Sequence, residues 1–305
     1  MTGIPTRTLG RTGLEVTTLG FGAMELRGAP RGPEISDEQA KDVLHAVLDA
    51  GINFIDTSPD YGRSEELIGR FISGQRGEYF LASKCGCLIG AQPGASERPQ
   101  HVFTAENVRA GVEQSLRRLK TDHLDIVQFH ASPSRQELEQ AGALAELVKL
   151  RDEGKVRFIG MSGTLPNLEE QIAMGVFDEF QIPYSALQRE QEDAIRRASA
   201  AGAGIVIRGG AARGQPTNWE GRANYMVPAA VARDRWESAR LDELLDGMSR
   251  MEFTLRFTLS NPDLDTTIVG TKDVGHLHNN VEAAKKGPLP ESVLAEARRR
   301  LAEVA

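Results

Sequence analysis

Four polar residues stand where apolar, strand-like runs end: Asp56, Tyr61, Lys84 and His130. Residues 52–55 lead into Asp56, residues 79–81 lead toward Lys84, and residues 124–129 lead into His130. Tyr61 follows closely in Asp56-Thr57-Ser58-Pro59-Asp60-Tyr61-Gly62. An acid, a phenol, an amine and an imidazole on successive strand ends converge if those strands lie side by side in one sheet. Such a set suits delivery of a proton to a polarised oxygen, which is enzyme chemistry.

The elements that must position these groups alternate along the chain. Helical spacing of Ala40, Val43, Leu44, Val47 and Leu48 predicts a helix over 38–50 that stops at Gly51. The same reading gives helices at 64–72, 104–119, 135–152, 166–174, 189–201, within 236–260, at 273–285 and at 290–303. Strands fall at 18–22, 53–56, 79–83, 124–129, 156–161, 179–182, 204–208 and 266–270. Runs such as Ile126-Val127 and Ile205-Val206-Ile207 are apolar without alternation, as expected of strands covered on both faces. Eight such units in 305 residues fit one (β/α)8 barrel over 1–305 better than an open sheet. Residues 6–9 and 14–17, around Gly10-Arg11-Thr12-Gly13, read as a β-hairpin that caps the barrel bottom. Two long loops, 86–103 and 209–235, follow strands and belong on the C-terminal face, where barrel enzymes keep their sites.

In this order the motifs resemble those of the aldo-keto reductases. They are Gly10-Arg11-Thr12-Gly13-Leu14, Leu19-Gly20-Phe21-Gly22, Asp56-Thr57-Ser58 with Tyr61-Gly62 and Ser64-Glu65, then Lys84, His130 and Ile268-Val269-Gly270-Thr271. The likeness runs from the hairpin to the last strand. It implies reduction of an aldehyde or ketone, with Tyr61 as the acid and His130 orienting the carbonyl. The physical reading agrees. A free phenol has a pKa of about 10; a Lys84 ammonium beside it would lower that value, and Asp56 would keep Lys84 charged and oriented.

Hydride chemistry implies a nicotinamide cofactor, which side chains cannot replace. Gly202-Ala203-Gly204 lacks the third glycine of a dinucleotide fingerprint and precedes a strand, as suits a barrel reductase. By the resemblance, Thr271, Lys272 and His276 would face the 2′-phosphate of NADPH, and Asn280 the adenine. Ser162 and Gln181 would hold the carboxamide, while Gly22, Ala23 and Met24 would border the site. Gly270 opens the segment before the helix near Asp273, where backbone N–H groups favour an anion. Several positions depart from the family pattern. Gly163 replaces a frequent asparagine, His276 a frequent arginine and Asn279 a frequent glutamate. Arg208 closes strand seven, where an aromatic often stacks on the nicotinamide; it could stack there itself or bind the pyrophosphate. NADPH is the expected cofactor, with NADH open.

With 36 basic and 43 acidic side chains and a net charge of −7, nothing favours nucleic-acid or membrane-surface partners. No run has the apolar length of a membrane span and no apolar signal segment follows the N-terminus, so a cytoplasmic enzyme acting on a small carbonyl compound is expected. Cys85 and Cys87, separated by Gly86, are too close for an unstrained disulfide and cannot hold zinc without distant histidines. They read as reduced thiols, one of which could line the site, and no metal centre is expected. Two rivals remain: a nucleotide-binding redox sensor on the same fold with little turnover, and a metal-dependent barrel hydrolase. The second lacks a His-x-His pair at a strand end. Loop residues Cys87, Arg213, Trp219 and Tyr225 are candidates for substrate selection.

Overall fold

The computed structural model describes residues 3–90, 100–214 and 227–304. The chain enters as an antiparallel ribbon, β1 (Thr6–Thr8) on β2 (Glu15–Thr17). Gly10 makes its turn against the rest of the molecule: a Cβ there would lie 2.3 Å from the backbone nitrogen of Gly204. Only a residue without a side chain permits that approach.

Eight parallel strands follow and close on themselves in chain order. They are β3 (Leu19–Gly22), β4 (Phe54–Asp56), β5 (Phe80–Cys85), β6 (Leu124–Phe129), β7 (Val156–Ser162), β8 (Glu179–Pro183), β9 (Gly204–Arg208) and β10 (Thr266–Val269), which pairs back onto β3. Gly204 begins β9, so the ribbon lies across the N-terminal end of the barrel. There Leu9, Leu14 and Val16 pack with Phe54, Ala82, Ile126 and Val206, closing the barrel from below with apolar side chains. The expected (β/α)8 barrel and its hairpin are both present.

The outer ring holds α1 (Asp37–Asp49), α2 (Ser64–Phe71), α3 (Ala105–Leu119), α4 (Arg135–Gln140), α5 (Ala143–Asp152), α6 (Asn167–Met174) and α7 (Glu192–Ala200). It continues with α8 (Ala229–Ser238), α9 (Arg250–Leu259), α10 (Val274–Lys285) and α11 (Glu291–Glu303). Helix α1 forms as its sequence dictates: the Ser36 side chain accepts from the Gln39 N–H, and Ala40, Val43, Leu44 and Val47 are the buried stripe.

Three expected elements differ in detail. The helix expected over 135–152 is two, because Gly142 adopts φ 72° and bridges to Thr104. The helical region expected within 236–260 divides into the end of α8, a short 3-10 turn at Leu241–Leu244, and α9, which Ser249 re-caps by accepting from Glu252 N–H. Strand β5 runs on to Cys85, so Lys84 lies inside the strand rather than after it. Among the described residues no helix is long and apolar enough to cross a membrane.

Candidate active site

Strand register brings the four expected groups to one end of the barrel. Asp56 ends β4 and pairs with Gly22 on β3 and Ala82 on β5. Lys84 pairs with Gln128 on β6, and His130 follows β6 directly, its N–H donating to the Cys85 carbonyl at 3.1 Å. Tyr61 lies in the turn between β4 and α2, held where its N–H reaches the Ser58 carbonyl at 3.1 Å. Gly62 makes that turn work. It sits at φ 48°, and a Cβ would stand 2.2 Å from the Arg27 carbonyl oxygen.

The Lys84 ammonium is buried and donates to both oxygens of Asp56, at 2.7 and 2.8 Å, and to the Thr57 carbonyl at 2.8 Å. All three of its protons are therefore directed. It lies 5.2 Å from the centroid of the Tyr61 ring, and the Tyr61 and His130 rings meet edge to face at 6.1 Å. Burial pushes the His130 imidazole down to about 3, against the opposing pull of Asp60, so the ring is neutral at ordinary pH. A neutral imidazole keeps one N–H donor for an incoming carbonyl.

A cleft of about 1030 Å³ opens from Asp56 and Tyr61 past Gln181 and Arg208 to the start of α10. Ten of the twelve expected cofactor residues line it: Gly22, Met24, Gln181, Arg208, Gly270, Thr271, Lys272, His276, Asn279 and Asn280. Ala23 and Ser162 do not. Ala23 is buried and its carbonyl accepts from the Ser64 hydroxyl at 2.9 Å, while Ser162 stands behind Gln181, its hydroxyl 3.4 Å from Oε1. Gln181 in turn donates to Asp56 at 2.9 Å, which ties the cleft wall to the buried ion pair.

The cleft suits an extended, anionic dinucleotide. Gly270 and Gly22 form a bare floor, for a Cβ on Gly270 would come within 2.6 Å of the Gly22 carbonyl oxygen. Beside it the exposed Lys272 ammonium donates to the Glu34 carbonyl at 2.9 Å and supplies positive charge. The start of α10 is capped internally: the Asp273 carboxylate accepts the His276 N–H at 2.8 Å. The His276 N–H, one of the groups expected to face an anion, is therefore already taken by the chain's own carboxylate.

Apart from Cys87, the neighbours of these four groups carried no sequence signal as site residues. Glu179 is fully buried beneath the ion pair, and burial raises its carboxyl well above the usual range, which favours the protonated form. Gly160 makes room for it, since a Cβ there would fall 2.2 Å from Glu179 Oε2. Asp60, Cys87 and His101 gather around His130. Cys85 and Cys87 are both free thiols, as expected; both are buried, and Cys85 lies inside β5. Trp219, Tyr225 and the side chain of Arg213, expected to shape substrate choice, lie outside the described residues.

The family model described as Aldo/keto reductase family matches residues 18–301. L-galactose dehydrogenase of Arabidopsis thaliana is 30% identical over 297 residues, spanning 93% of this chain and 89% of that protein. An aldo-keto reductase of Strobilurus tenacellus is 31% identical, across 98% of this chain and 92% of its own. Among solved structures, the holo form of an aldo-keto reductase from Bacillus halodurans superposes with a TM-score of 0.81 at 27% identity, covering 99% of this chain and 96% of that one.

Proposed function

The chain belongs to the aldo/keto reductase family, and from that premise we propose that it reduces an aldehyde or ketone to the alcohol, reversibly, with NADPH as hydride source. When bound, the reduced nicotinamide supplies the hydride that the side chains cannot. The chain's own residues handle the oxygen. Tyr61 donates its hydroxyl proton to the carbonyl oxygen as that oxygen gains negative charge. Lys84, 5.2 Å from the ring centroid, stabilises the phenolate left behind, and Asp56 keeps the ammonium in place. His130, neutral, gives the carbonyl a second hydrogen bond and fixes its approach.

The observation that carries this reading is the buried Lys84 ammonium, bound on one side by Asp56 and lying against Tyr61 on the other. A buried pair needing only stability has no use for a phenol and an imidazole at its open side. The preference for NADPH over NADH rests on Lys272 at the adenosine end of the cleft.

The test is fluorescence titration with NADPH and NADH, followed by absorbance assays over a panel of aldehydes and ketones. Tight binding with oxidation of the reduced cofactor by some carbonyl supports the proposal. Tight binding without turnover on any member of the panel would replace it with a nucleotide-sensing role, and no binding would remove it.

A further inference from the structure

We propose that Asp60, Cys87, His101 and His130 form a binding site for one zinc ion at the mouth of the barrel. One donor atom from each lies within 4.8 Å of the other three. His130 Nδ1 is 3.3 Å from Cys87 Sγ and 3.8 Å from Asp60 Oδ1. Around tetrahedral zinc, bond lengths of about 2.3 Å to sulfur and 2.0–2.2 Å to nitrogen and oxygen separate such pairs by roughly 3.6 and 3.4 Å. The side chains therefore stand within about 0.4 Å of the required spacing on those two edges.

Four separate pieces of backbone supply the donors, and backbone hydrogen bonds hold them together. Asp60 belongs to the turn that also carries Tyr61. Cys87 follows β5, and His101 faces it across an antiparallel bridge, with Val102 N–H on the Gly86 carbonyl at 2.7 Å and Leu88 N–H on the Gln100 carbonyl at 2.9 Å. Directly opposed residues of an antiparallel pair put their side chains on the same face. His130 is tied to β5 through the Cys85 carbonyl. The distant histidines that two closely spaced cysteines need for a zinc site are thus brought to one of them.

Outer groups aim the donors as metal sites require. The Ser58 hydroxyl donates to Asp60 Oδ1 at 2.5 Å and lies 3.6 Å from Cys87 Sγ. Arg31 approaches the other carboxylate oxygen at 3.9 Å, which leaves Oδ1 as the inward one. The nearby Lys84 charge is already neutralised by Asp56. Binding forms a Zn–S bond, breaks the Cys87 S–H bond and releases that proton to solvent. Thiolate and carboxylate then balance the two positive charges in a largely buried site. Mixed sulfur, nitrogen and oxygen donors select zinc over magnesium or calcium.

Four protein donors make a closed site with no position left for reactive water. The ion's role is to hold His130. With Nδ1 coordinated, the imidazole proton must reside on Nε2, so the metal sets the tautomer of the residue proposed to orient the carbonyl.

The 305-residue chain, stripped with chelator and dialysed, is titrated with Zn²⁺ in competition with a chromophoric chelator, then with Co²⁺ alone. The expected result is one equivalent bound with a Kd below about 1 µM. The cobalt form should show thiolate-to-metal charge-transfer absorption, and zinc X-ray absorption should give one sulfur neighbour at about 2.3 Å with the rest nitrogen or oxygen. Cys87→Ser and His101→Ala should each weaken binding by about 100-fold or more, while Tyr61→Phe leaves it unchanged. The proposal is overturned if wild-type protein binds less than a stoichiometric equivalent, if its zinc shell contains no sulfur, or if both variants bind as wild type. The spectra of the wild-type protein decide the matter even where a variant does not fold. Zinc bound by a protein that reduces no carbonyl would count against the reductase reading and leave the site standing.

Discussion

Lys84 and Asp56 form a buried pair in which one ammonium spans both carboxylate oxygens, at 2.7 and 2.8 Å, from adjacent strands of the barrel. Charges removed from water this completely are retained at a cost in desolvation, and breaking one side leaves the other uncompensated. Lys84→Met is therefore expected to lose about 3–5 kcal/mol of stability and to lower kcat by roughly 100- to 10,000-fold. Lys84→Met/Asp56→Asn should recover much of the stability and none of the turnover. Urea unfolding and steady-state kinetics on the three variants check both halves; a single variant as stable as wild type would contradict the pairing argument.

Glu179 gives the fold a pH signature. Its carboxyl is raised by burial, first of all, and then by the nearby Asp56 charge. Below the ordinary carboxylate pKa of about 4.3 both folded and unfolded chains hold this proton, and Glu179 adds no pH dependence. Above it the unfolded chain releases the proton while the folded chain keeps it. Stability then falls by up to about 1.4 kcal/mol per pH unit until the folded value is passed. Glu179→Gln should flatten that decline, being more stable than wild type at pH 8 with the difference vanishing near pH 4. Parallel stability curves for the two proteins would show that Glu179 is ionised in the fold.

Lys272 should discriminate between the cofactors. Its ammonium, in the cleft beside the start of α10, would meet the 2′-phosphate that NADH lacks if NADPH binds as proposed. Lys272→Ala is expected to raise KM for NADPH by roughly 10- to 100-fold, the range of one charge-assisted contact, with little change for NADH. An equal effect on both cofactors would place the lysine elsewhere than at the 2′-phosphate.

Gly270 is the point where the cleft floor admits no side chain. A Cβ there would meet the Gly22 carbonyl oxygen at 2.6 Å and Glu25 Cγ at 3.3 Å. Gly270→Ala should push β10 from β3, costing about 1–3 kcal/mol and weakening nucleotide binding together with it. Calorimetric titration with NADPH beside a urea melt tests this, and unchanged values in both would mean the floor yields freely.

The sequence carried the barrel because its strands are covered on both faces and read as unbroken apolar runs, while α1 and α3 bury regular stripes behind Ser36 and Thr104 caps. It carried the tetrad because each member lies within or just beyond such a run. The break at Gly142 was not legible, since helical spacing continues through Ala141 and Ala143 and only the φ of 72° interrupts it. Glu179 opens a strand and looks like an ordinary boundary residue; its burial depends on Gly160, its partner on the adjacent strand β7. His101 was silent for a different reason. Its approach to Cys87 arises from a loop folding back on itself, a contact that leaves no period in the sequence. Asp60 stood in plain view within a motif, yet its use depends on Cys87, His101 and His130, which only the folded loops bring beside it.

The central claim is that Tyr61 gives the proton, and its most direct test is Tyr61→Phe assayed with NADPH and whichever carbonyl the wild type reduces best. The account predicts that the variant binds NADPH as tightly as wild type while kcat falls by roughly 100- to 10,000-fold. Wild-type turnover in that variant would contradict the account and require another acid at the mouth of the barrel.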